Sequence, residues 1–274
     1  MKRTWYSYPY IVWMAIFIVV PFLLLLFYSF TVSTDEGIKF TLDHIKRLWD
    51  PIYLMVLLRS INLAIICTVI CLVIGYPVGL ILASKEYSSK KVLALLFVIP
   101  MWINFLLRTY AWMTLLEKGG LVYTILEFLH IPNSQLLYTD QAVVLGMVYN
   151  FLPFMVLPIY SVLTKLDKSI VEAAEDLGAN YITVLRRVII PLSLPGVISG
   201  ITMVFMPAVT TFIISRLLGG GHYILVGNLI EQQFMVVGDW NFGSAISFVL
   251  MVIILISMGV LRKYDEGHEG GAIW

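Results

Sequence analysis

Six runs of about 20 apolar residues divide the chain, each long enough to cross a bilayer as a helix. They lie at roughly 10–31, 60–83, 92–116, 141–164, 190–215 and 242–261. None alternates with period two. Backbone polar groups in lipid must pair within their own segment unless a barrel closes, so the runs predict helices rather than strands. Composition agrees: 60% of the 274 residues are hydrophobic and 13% charged, more apolar surface than one water-facing core can hide. That excess excludes a soluble enzyme. The predicted fold is an all-α membrane protein of six transmembrane helices in a single domain, 1–274. The first run follows Lys2 and Arg3 as a signal peptide would. It is too long for one and no A-x-A-like site follows, so it reads as an uncleaved span.

Orientation follows from the basic residues. With the N-terminus inside, the inner loops hold eleven (Lys2, Arg3, Lys85, Lys90, Lys91, Lys165, Lys168, Arg186, Arg187, Arg262, Lys263) and the outer loops six (Lys39, Lys46, Arg47, Arg59, Lys118, Arg216). Both termini are therefore expected in the cytoplasm. Two outer segments, 121–129 and 224–237, are apolar but too short to span, and are expected to lie at or dip into the outer surface. The second follows the flexible run Gly219, Gly220, Gly221. No repeat relates the two halves of the chain, so a symmetric pathway requires a second chain.

Several chemistries are missing. All four histidines lie outside the spans and no Asp or Glu falls within one, which argues against a proton relay or a metal site in the membrane. There is no phosphate-binding G-x-x-x-x-G-K-[ST] loop, no H-E-x-x-H and no G-x-S-x-G, so any energy source must act from another subunit. The net charge of +1 without a long basic run removes the footprint that nucleic-acid binding needs. Cys67 and Cys71, at i and i+4, read as packing residues. Prolines in or beside the spans (Pro21, Pro77, Pro100, Pro153, Pro158, Pro207) imply kinks, which suit plain shape and a gated pathway equally.

The most informative stretch is 165–196, KLDKSIVEAAEDLGANYITVLRRVIIPLSLPG. Leu166, Ile170, Ala173, Ala174 and Leu177 form one helical stripe. Ser169-x-x-Glu172 reads as a capping box and Gly178 as a left-handed stop. A second short helix is expected to begin near Asn180 and end before Pro191. The spacing of Glu172-Ala173-Ala174, Gly178 and Pro191 resembles the EAA signature of the permease subunits of ABC importers. That resemblance implies a type I importer permease fold, a coupling helix pair at about 165–190 that docks on a separate ATPase, and no ATP or Mg site in this chain. It also implies partners: a homologous permease chain, two ATPase subunits and an external binding protein. Leu185 stands where many members of that family carry an aromatic residue.

Further stretches (DPIY at 50–53, GYPVGLILA at 75–83, RTYAW at 108–112, MVYNFLPFMVLPIYSVLTKLD at 147–167, LLGGG at 217–221, DWNFGSA at 239–245) are similar to PotB-like permeases of spermidine/putrescine importers. They imply an ATP-driven polyamine importer in the cell membrane and an external polyamine-binding protein. Permeases for iron or sulfate share the coupling segment, and an ion-coupled carrier or a membrane scaffold remains a distinct class of reading. The outer loops hold nine acids against six bases, a field that attracts a polycation. Aromatic walls suit a cation with methylene spacers. Trp102, Tyr110, Trp112, Tyr149 and Phe151 are candidates for such walls, and equally for interfacial anchors or helix packing. Asp239, Trp240 and Glu231 are outer-face candidates, and Asp239 with Trp240 equally suits a loop anchor. Arg108, about 12 Å inside its span at 1.5 Å per residue, reads as a structural partner of a carboxylate or helix end, or as a gate.

Overall fold

The computed structural model describes residues 8–34, 37–83, 97, 99–129, 136–221 and 223–269. Five helices among these are long and apolar enough to cross a membrane: α1 (Tyr8–Ser29), α3 (Pro51–Ala83), α6 (Asp140–Leu163), α8 (Tyr181–Thr210) and α11 (Trp240–Glu269), the last spanning through Leu261. No residue of the most apolar window of α1 is buried within the chain, so that surface requires lipid or another subunit. Shorter helices are α2 (Asp43–Arg47), α4 (Phe105–Leu116), α5 (Leu121–Phe128), α7 (Lys168–Asp176), α9 (Ile213–Leu218) and α10 (Val226–Gln232). An antiparallel ribbon of β1 (Thr31–Thr34) and β2 (Gly37–Phe40) adds to the helical fold.

The expected third span is not one helix where it is described. Helix reaches Trp102, stops at Ile103 and Asn104, and restarts as α4, with the Asn104 side chain accepting the Leu106 N–H at 2.8 Å. Asparagine is a strong N-cap because its oxygen satisfies an orphan amide, and that cap wins over continuation here. Residues 92–96 of that run, and Lys2, Arg3, Lys85, Lys90, Lys91, Asp35, Glu36, His130 and His222, lie outside the described residues. The expected fifth span also shifts: α8 ends at Thr210 and α9 begins at Ile213.

Among the described residues three π-helical turns occur, at Ala15–Val19 and Leu185–Ile189 within helices and at Gln233–Val237 at the end of α10. The first two each end two residues before a proline, Pro21 and Pro191. A proline ring clashes with the carbonyl four residues back, and one widened turn accommodates that without ending the helix. Pro191 therefore sits inside α8, and the predicted short second helix is instead the first part of a 30-residue one.

The chain packs as two compact units, Met1–Leu58 with Val226–Ile256 and Arg59–Leu225 with Ser257–Trp274. In the first, Phe30 stacks on Phe40 (5.7 Å) and meets Phe248 edge-on (5.3 Å), and Asn241 Nδ2 donates to the carbonyls of Tyr28 and Thr31 at 3.0 and 2.6 Å. In the second, small residues let helices close up. A Cβ on Gly200 of α8 would sit 2.7 Å from the Met155 Sδ of α6 and 3.1 Å from its carbonyl, and one on Gly79 of α3 would sit 2.9 Å from Ile159. Cys67 and Cys71 are fully buried, with the Cys71 Sγ 3.9 Å from the Val148 carbonyl, as packing residues should be. In the Gly219–Gly221 run, Gly220 (φ +62°) lies against the Tyr138 ring with no room for a side chain.

Candidate coupling segment and translocation-path residues

The segment after α6 is shaped by its caps. Asp167, not Ser169, starts α7: its carboxylate accepts the Ser169 N–H at 3.0 Å. That backbone hydrogen bond holds the Asp167 carboxyl below its ordinary value. Ser169 and Glu172 are then inside the helix, and the expected capping box gives way to an acidic cap two residues earlier. At the other end Gly178 has φ +82°, its N–H donates to the Glu175 carbonyl at 2.8 Å, and the Ala179 N–H donates to Ala174 at 3.1 Å. This is the Schellman arrangement, in which a left-handed residue closes the helix. Asn180 then caps α8 by accepting the Thr183 N–H at 2.9 Å. The two helices thus form the expected bent pair.

The predicted apolar stripe of α7 is largely uncovered by this chain: Leu177 is 89% exposed, Ile170 is exposed, and Ala173 lies on the same surface. Tyr181 and Ile182 continue it onto α8. Leu185, half-buried, opens the π turn, where the Ile190 N–H reaches back to the Leu185 carbonyl. Beyond Pro191, Ser193 Oγ donates to the Ile190 carbonyl at 3.0 Å, so the Tyr76 hydroxyl is the donor in its 2.8 Å bond to Ser193. That bond ties α3 to α8 just past the candidate coupling segment.

Among the path candidates, Trp112 and Tyr149 meet edge to face at 5.3 Å, while Trp102 (80% exposed) and Tyr110 are open and Phe151 is buried in packing. Arg108 lies in the first turn of α4, its N–H bonded to the Asn104 carbonyl at 3.1 Å, and its Nε is buried without a hydrogen-bond partner among the described residues. In the other unit, Asp239 is engaged at both oxygens: Oδ1 accepts the Phe242 N–H at 3.0 Å and caps α11, and Oδ2 takes Arg47 at 3.1 Å. Arg47 also donates to the Tyr53 hydroxyl (3.1 Å) and lies 4.1 Å over the Phe242 ring. Trp240 is exposed and edge-on to Phe234 at 5.4 Å. Glu231 is half-buried on α10.

The sequence reading missed two arginine anchors, Arg47 on Asp239 and Arg59 on Asp140. Arg59 lies inside α3 and donates to both Asp140 oxygens (2.6 and 2.8 Å) with its guanidinium 4.3 Å from the Tyr223 ring. The only local signal was that each acid sits at a helix start, where a carboxylate is favoured.

Comparison with known proteins agrees with this architecture. Residues 75–266 match the family described as the binding-protein-dependent transport system inner membrane component. The spermidine/putrescine transport system permease protein PotB of Escherichia coli (strain K12) is 40% identical over 247 residues, 88% of this chain and 90% of that protein. The protein of that description from Haemophilus influenzae is 39% identical over 261 residues, 93% and 91% of the two chains. A bacterial ABC transporter that imports the acidic polysaccharide alginate has the same fold (TM-score 0.74, 17% identity, 96% of each chain). So does the alginate transporter in complex with its periplasmic protein (TM-score 0.79, 15% identity, 95% and 93%). Family match, relatives and fold together establish that the chain belongs to the binding-protein-dependent transport system inner membrane components, multi-pass membrane proteins.

Proposed function

We propose that the chain is the permease subunit of an ATP-driven spermidine/putrescine importer, a transport subunit whose ATP and Mg are bound by a partner. The observation that carries this is the 40% identity with PotB over 88% of the chain. It pairs with a second, homologous permease, two ATPase subunits and an external polyamine-binding protein, and both termini and the α7–α8 bend face the cytoplasm. Glu172, Ala173, Ala174, Gly178, Leu185 and Pro191 form the coupling element. The uncovered stripe of α7 gives the ATPase an apolar surface, and the continuity of α8 from Tyr181 to Thr210 makes any displacement of that surface a tilt of a span. Such a transfer requires the two states to differ in contact energy at the docking surface. The test is reconstitution of all subunits in proteoliposomes, with ATP hydrolysis measured against spermidine, putrescine, ferric iron and sulfate on the loaded binding protein. Stimulation by the polyamines alone is the expected result, and stimulation by iron or sulfate instead refutes the cargo.

A further inference from the structure

The coupling helix has a second face. At about 100° per residue, Ile170, Ala173, Ala174 and Leu177 share one side of α7, and Val171, Glu172 and Glu175 lie roughly opposite. That opposite side borders a groove of about 420 Å³ between α7 and the ends of α3, α6 and the π turn of α8. Leu80, Leu163 and Ile189 contribute to an aliphatic wall, and Asp167, Glu172 and Glu175 place three carboxylates along it. No described lysine or arginine side chain lines it, and no ion pair among the described residues involves these acids. The volume is that of a small-molecule site.

The two kinds of wall select the occupant. A hydrated magnesium ion needs an oxygen cage and leaves an aliphatic wall uncovered. A chain of methylenes punctuated by ammonium groups covers the wall and pairs the acids at once, gaining apolar contact and charge attraction together. We propose that this groove is a second polyamine site, filled from the cytosolic side, in which Asp167, Glu172 and Glu175 hold ammonium groups and Leu80, Leu163 and Ile189 cover the methylenes. The inference rests on the importer reading. A polyamine lodged there joins α7 to the ends of α3 and α6 and opposes the movement of α7, so that accumulated product slows its own uptake.

The probe is spermidine with the complete transporter in phosphatidylcholine/phosphatidylglycerol bilayers. Thr164→Cys, at the groove, carries an environment-sensitive fluorophore, with Cys67 and Cys71 fully buried. Spermidine on the coupling-segment side shifts the fluorescence saturably and magnesium at equal charge does not. Glu175→Gln weakens that binding about fivefold, the effect of one partly exposed ion pair, and Glu175→Arg abolishes it. Uptake into empty vesicles is unchanged in Glu175→Gln, while inhibition by preloaded spermidine needs a higher internal concentration. A shift that survives Glu175→Arg, an equal response to magnesium, a response only to added phosphatidylethanolamine, or one only to the ATPase subunit overturns the proposal. Spermidine binding in the groove without spermidine uptake refutes the cargo instead and leaves the site standing. Uptake without groove binding does the reverse.

Discussion

Gly178 is where backbone geometry and coupling can be separated. Its φ of +82° costs a residue with a Cβ about 1–2 kcal/mol, toward the upper end for a β-branched one. A Cβ there meets nothing within 4 Å, so crowding within the chain adds nothing and the conformational cost stands alone. Gly178→Val therefore biases the turn toward other backbone states by about 2 kcal/mol, roughly a thirtyfold change in population at 1.36 kcal/mol per decade. Gly178→Ala, at about 1 kcal/mol, shifts it about fivefold, and Gly178→Asn least, since asparagine visits this region most readily. Relaxing the turn gives up the Gly178–Glu175 and Ala179–Ala174 bonds, which fix the angle between α7 and α8. The assay is the ratio of polyamine uptake to ATP hydrolysis in proteoliposomes, at matched membrane levels. The expected order of uncoupling is Val, then Ala, then Asn. Wild-type coupling in Gly178→Val refutes the reasoning, and Asn as damaging as Val shows that bulk against the ATPase, not φ, governs the position.

Four further outcomes follow from the geometry. Leu177→Arg places a charge on a side chain this chain leaves 89% exposed, so it abolishes co-purification of the ATPase while membrane level and melting temperature stay at wild-type values. The Asp167 carboxyl is held below its ordinary value, so the cap contributes above the unfolded pKa near 4 and is lost as pH falls through the lower folded value; hydrogen exchange of α7 amides rises in that window, and Asp167→Asn removes the pH dependence. Gly200→Val drives methyl groups into Met155, destabilising by about 1–3 kcal/mol or more, which a thermal melt of the purified permease detects, with Gly200→Ala milder. Asp239→Ala removes a cap and a partly exposed ion pair, about 1–2 kcal/mol, whereas Asp239→Asn retains the cap; full stability with lost uptake in Asp239→Asn would assign the carboxylate to cargo rather than to Arg47.

Bilayer thickness makes spans legible, because it fixes their length whatever their neighbours. The positions of α1, α6 and α11 follow from hydropathy for that reason. Hydropathy could not see that Asn104 breaks the third run, although an asparagine followed by an apolar helical stretch is an N-cap signal. It could not see the π turns either: Pro191 reads as a stop, and only the widened turn before it lets α8 continue. Between Asp167 and Ser169 both residues fit a cap, and the hydrogen bond to the Ser169 amide decides. The partnership of Asp239 with Arg47 joins residues 192 apart in the chain, and no local pattern announces it.

The segment proposed to couple to the ATPase shows what kind of stability such a device needs. A nine-residue helix is too short to persist on its own propensity, and most short helices in proteins are held by burying an apolar face. Here that face is exposed. What holds α7 is instead its two ends, the Asp167 carboxylate at the start and the left-handed Gly178 at the finish, with Asn180 restarting the chain in a new direction. Caps fix shape without consuming surface, satisfying the orphan groups at each helix end while leaving the side of the helix free. A helix stabilised by burial could not also offer that surface to another subunit. Holding α7 by its ends keeps the apolar stripe available for docking, leaves the opposite face to the acidic groove, and delivers any movement through a fixed bend into α8.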